Sequence, residues 1–180
     1  MITNWKHPVE NEFPPYYGKY IQKVPPGDLV EFLTKRTNDL VAFLINLPEE
    51  KLQYRYAENK WTIPQIVQHL IDGERIFSYR ALRFARNDAT ELPGFEENDY
   101  ANEATGDGRT FTDLINEYVA VRNSTISLLN SFNDPILDRK GSANNNLISV
   151  RSIAYIIAGH TEHHWQVITE RYLGEVRNTE

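Results

Sequence analysis

The chain has 180 residues, with 25 acidic against 19 basic side chains and a formal charge of −6. That length suits one domain, and 41% hydrophobic residues, with 12% aromatic, supply a core without cross-links. Cysteine is absent, which removes disulfides, thiolate zinc sites, iron–sulfur clusters and cysteine nucleophiles together, so any metal must be held by His, Asp or Glu. The acidic balance argues against nucleic acid as a partner, apolar runs are too short for a membrane span, and Met1-Ile2-Thr3-Asn4-Trp5-Lys6 lacks a signal peptide's pattern; the expectation is a cytoplasmic protein.

Residues 1–27 are rich in Pro and aromatics, as in Phe13-Pro14-Pro15-Tyr16-Tyr17 and Val24-Pro25-Pro26, and read as an extended arm without regular helix, anchored by its rings. The domain proper is expected over 28–180. Asp28 is a good N-cap, and Leu29, Phe32, Leu33, Leu40, Phe43, Leu44 and Leu47 recur at helical spacing until Pro48. After a connection over 48–61, Thr62 with Pro64 opens a second helix to about Asn87. Residues 88–110, with Pro93, Gly94, Gly106 and Gly108, read as a long loop that covers a site. A third helix follows to Phe132, then a turn-rich segment from Asn133 to Leu147. Ser149 caps a fourth helix that reaches Leu173 and stops at Gly174. With no strand pattern, the expectation is an all-α four-helix bundle carrying an N-terminal extended arm.

Four of the five histidines fall on two of these helices. Steps of three, four and seven place Val150, Ile153, Ile157, His160, His164, Val167 and Ile168 on one face of the fourth helix, and Ile66, His69, Gly73 and Ile76 on one face of the second. Three imidazoles thus interrupt two apolar stripes, and an i, i+4 pair facing a third His is how bundles build metal sites in their cores. Such a site leaves coordination positions open, as a catalytic metal requires. The alternative is three separate core histidines, each satisfied by a neighbour; burying several unpaired imidazoles is costly, which favours the metal. His163 competes with His164 for the pair and otherwise stands as an orienting or substrate-contacting residue. Asp72 and Glu74, close after His69, are candidates for the same supporting roles; Arg80, Arg83 or Arg86 could bind an acidic cosubstrate, because a planar guanidinium matches carboxylates, but the favoured reading is of ordinary exposed helix arginines.

Three known metal motifs fail. In His160-Thr161-Glu162-His163-His164 the Glu lies two residues after the first His, turned away from its face, unlike a zincin helix. A zinc deaminase needs a cysteine pair, and a di-iron bundle needs Glu-x-x-His on two helices; neither occurs.

Two stretches, from Trp61-Thr62 through His69-Leu70-Ile71-Asp72-Gly73-Glu74, and Gly159-His160-Thr161-Glu162-His163-His164-Trp165, resemble the DinB/YfiT-like superfamily. The resemblance spans about residues 28–173, and the Tyr-rich arm looks closest to the YfiT and bacillithiol transferase branch. It implies an up-down-down-up four-helix bundle, commonly a homodimer, with a divalent metal (zinc, nickel or iron) on three histidines that map onto His69, His160 and His164. The implied chemistry is transfer of a low-molecular-weight thiol such as bacillithiol to a small electrophile. Two alternatives stand beside it: a metal-dependent hydrolase using water, and a non-catalytic metal or small-ligand binding protein.

Overall fold

The computed structural model describes residues 5–104 and 108–174. The first four residues of the arm, Gly106 of the loop and the C-terminal residues 175–180 lie outside the described residues. After two single-turn 3-10 helices, Glu10–Glu12 and Pro15–Tyr17, the helices are α1 (Gly18–Ile21), α2 (Leu29–Ile45), α3 (Glu49–Leu52), α4 (Ile63–Ala85), α5 (Glu97–Glu103), α6 (Phe111–Asn130), α7 (Asp134–Leu137) and α8 (Val150–Val167), the last continued by a π-helical turn, Ile168–Tyr172. The four long helices α2, α4, α6 and α8 form the expected bundle. No helix among the described residues is long and apolar enough to cross a membrane.

The caps explain where these helices begin. The Asp28 carboxylate accepts from the amides of Val30 and Glu31 at 2.8 and 3.0 Å. Thr62 and Gln65 form a reciprocal capping box, as do Thr110 and Asp113, and the Ser149 hydroxyl accepts from the Ser152 amide at 3.0 Å. Gly174, with φ of +73°, ends the last turn. Helix α4 packs chiefly on α6 and α8, and α2 on the same two, so α2 and α4 are diagonal in the bundle. The chain crosses the α2–α4 diagonal over 46–62.

Three local expectations are corrected. The arm does contain helix, because Pro14 and Pro15 stand at the entry to a turn, where a missing amide costs nothing, and residues 16–24 are proline-free. The loop over 88–110 carries the helix α5. The turn-rich segment holds a two-stranded antiparallel hairpin, β1 (Lys140–Ala143) and β2 (Asn146–Ser149), with Asn144 and Asn145 at φ of 53° and 59° supplying its two-residue turn. Four-residue strands are too short to leave a readable alternation.

Two apolar clusters fill the bundle, one including Leu33, Phe77, Leu129 and Ile153, the other Leu40, Ile71, Tyr118 and Trp165. Between them runs a polar layer: Thr37 of α2, Glu74 of α4, Arg122 of α6, and His160 with Thr161 of α8, all buried. Arg122, fully buried, donates to both carboxylate oxygens of Glu74 at 2.8 Å, to Thr161 at 2.9 Å and to Thr37 at 3.3 Å. Burial works against its charge, but Glu74, with Tyr118 and Glu162 adding to it, raises the Arg122 pKa.

Helix α1 lies against α8 at Gly159, where a Cβ would stand 1.9 Å from the Tyr20 carbonyl oxygen. Backbone cannot yield there as a flexible side chain could. Gly159→Ala is therefore expected to destabilise the fold by the upper part of the roughly 1–3 kcal/mol that overpacking costs. A thermal melt checks it, and tyrosine fluorescence should report release of Tyr20.

Candidate metal centre

Helix α4 brings in His69, and α8 brings in His160 and His164 one turn apart on its inner face. One possible ligand atom from each lies within 4.8 Å of the other two. The Nε2 atoms of His69 and His160 are 2.9 Å apart, and ring centroids are 4.8 Å apart for His69 with either partner and 4.6 Å for His160 with His164. Gly73 of α4 stands opposite His160, where a Cβ would come into ordinary contact with Cε1 at 3.4 Å. The Trp61 ring lies 4.7 Å from His69 and 6.4 Å from His164, nearly parallel to the latter, while Tyr20 meets His160 edge-on at 5.3 Å.

Burial holds all three imidazoles neutral. It pushes the His69 pKa down to about 4 and those of His160 and His164 well below the usual imidazole value, with neighbouring histidines adding to the effect. Because the folded value lies below the unfolded 6.5, each His contributes stability that is present above pH 6.5 and lost as pH falls toward the folded value. Chelator-treated protein should accordingly show urea midpoints that fall from pH 6.5 to about 4; a flat profile over that window would contradict the burial.

His163 lies beside the cluster, 5.0 Å from His164 and 5.4 Å from Tyr20 between ring centroids. Glu74 is spent on Arg122, and Asp72, half-buried, accepts from Gln68 at 2.8 Å. Glu162 pairs with Arg36 of α2, consistent with its turning away from the His face. Arg83 is paired with Asp88 and Arg86 is exposed, but Arg80 is buried rather than exposed, because residues 92–95 fold back over it.

The cluster stands where two cavities approach each other. One, of about 250 Å³, is lined by His69 and His160 with Tyr17, Phe77 and Arg80; the other, of about 240 Å³, by His163 and His164 with Trp61, Tyr56 and Lys60. Glu97, the first residue of α5, lines both. Sequence reasoning passed over Tyr20 and Glu97; the Gly159 beside His160 was the one trace of Tyr20's approach, and nothing local marks Glu97.

The residues fit a divalent metal. Three neutral imidazoles converge, no carboxylate among the described residues pairs with them, and His164 Nδ1 is a buried polar atom without a hydrogen-bond partner among those residues. Fold and site together define a helical bundle built around a three-imidazole cluster in which His69 and His160 are buried and His164 is partly buried. A sequence profile of the DinB superfamily matches residues 33–168, and the chain belongs to that family. It is 28% identical over 148 residues to a protein of Oceanobacillus iheyensis named "Putative metal-dependent hydrolase", covering 79% of this chain and 84% of that one. Its fold is also that of YfiT from Bacillus subtilis, described as "a probable metal-dependent hydrolase with an unusual four-helix bundle topology": TM-score 0.70, 17% identity, 82% of this chain and 87% of that one.

Proposed function

We propose that the chain is a metal-dependent enzyme that joins a low-molecular-weight thiol to a small electrophile, with His69, His160 and His164 as the ligands of a divalent zinc, nickel or iron ion. The observation that supports this most is the pair of cavities that flank the imidazole cluster and share Glu97 in their walls, which offers separate seats to two small substrates. A divalent ion on three neutral ligands keeps its full charge and lowers the pKa of a bound thiol or water, supplying a nucleophile near neutral pH. Trp61 and Tyr20 hold the imidazole planes and shield them from bulk water. Phe77 and Tyr17 give one cavity an aromatic wall, and His163 lines the other, where it would take up the proton that the thiol loses.

Hydrolysis is the second reading. It is favoured by Glu97, a carboxylate lining both cavities that would serve as general base, and by the names of the two relatives. Metal-loaded protein should conjugate thiols to monochlorobimane well above the uncatalysed rate and leave ester and amide panels untouched. Hydrolysis without conjugation would replace the first reading with the second; a bound metal with neither activity would leave a binding protein.

A further inference from the structure

Two arginines are buried among the described residues, Arg122 and Arg80, and they are treated differently by the fold. Arg122 has the two oxygens of Glu74. Arg80 is 4% exposed and forms no ion pair with a carboxylate among the described residues; Nη2 donates to the Pro93 carbonyl at 2.8 Å, the Tyr17 hydroxyl is its other polar neighbour, and the Phe77 ring lies 5.7 Å from its guanidinium carbon. A guanidinium has five N–H donors, and a buried one without an anion is costly to maintain. Burial lowers its pKa, with Tyr17 offsetting this in part.

Arg80 also lines the cavity that His69 and His160 line. His69, Gly73, Phe77 and Arg80 follow one another at helical spacing along one face of α4, so Arg80 stands about 10 Å farther along the axis than Gly73, the residue opposite His160. Glu96 and Glu97 line the same cavity, but neither pairs with Arg80, and Glu97 acts instead on Tyr17 and Tyr20. The cavity thus has a fixed, desolvated cation at one end and the imidazole cluster at the other.

We propose that Arg80 is the carboxylate-recognition residue of this cavity: a small ligand bearing a carboxylate docks it on the guanidinium and so presents its reacting end to the imidazole cluster. The inference rests on the proposed function for the reacting end, but the anion seat itself is tested without it. A planar fork matches carboxylate geometry with two parallel N–H contacts, and the low polarity around Phe77 strengthens them.

The test titrates succinate and its neutral diamide into wild type and Arg80→Gln by calorimetry, beside turnover of N-acetylcysteine and N-acetylcysteinamide with monochlorobimane. Wild type is expected to bind succinate at least about tenfold more tightly than the diamide, and Arg80→Gln to lose that preference. Arg80→Lys should fall between, because an ammonium cannot make the paired contact; should Arg80→Gln fail to fold, Arg80→Lys decides in its place. Equal succinate binding by wild type and variant, or no discrimination by wild type, overturns the assignment. Arg80-dependent succinate binding with no thiol turnover keeps the anion seat and removes thiol transfer. Turnover of both thiols at equal rates, unchanged by the substitution, does the reverse.

Discussion

Arg122→Ala should be the most destabilising single substitution in the bundle, by about 3–5 kcal/mol, the cost of leaving a buried charge without its partner. The stranded group is Glu74, 4% exposed, which would lose both of its 2.8 Å bonds. Thr37 and Thr161 would lose a donor as well. Because Glu74 follows Gly73 and Thr161 follows His160, the network also fixes how α4 and α8 meet at the imidazoles. The double variant Arg122→Met with Glu74→Leu, which removes both charges and keeps apolar volume, should recover much of the lost stability. Chemical denaturation of the two variants and wild type decides this. Equal stability of the single and double variants would show that the stranded carboxylate is not the source of the loss.

The second large effect concerns the imidazoles. His69→Ala, His160→Ala and His164→Ala should each lower metal-dependent turnover by more than the roughly 10–100-fold that loss of a ligand-orienting residue costs, while His163→Ala stays within that range. The reason is geometric: the three bring their nitrogens within 4.8 Å, and His163 is not one of them. Steady-state kinetics on metal-reconstituted variants, with circular dichroism to verify the fold, gives the comparison. A His163 variant impaired beyond that range, with His164→Ala inside it, would move the pair to His160 and His163.

Helical spacing made His69, His160 and His164 legible in the sequence because both helices are long, capped and regular through the site, so residues three or four apart must share a face. What it could not show were partners brought from far along the chain. Glu74 looked available beside His69, yet its partner Arg122 lies 48 positions away on another helix. Arg80 reads as an exposed helix arginine until residues 92–95 fold over it. Tyr20 reaches His160 only because α1 seats its backbone on Gly159. The hairpin was hidden for a different reason: its identity lies in two asparagines at positive φ, a backbone property that strands of four residues do not advertise.

Elemental analysis with X-ray absorption, on the purified, reconstituted chain and on His164→Ala, tests whether the three imidazoles hold one divalent ion. About one divalent ion per chain is expected, with three nitrogen donors from imidazole, and its loss in the variant. Metal content unchanged by His164→Ala, or a wild-type chain that takes up none, would contradict it.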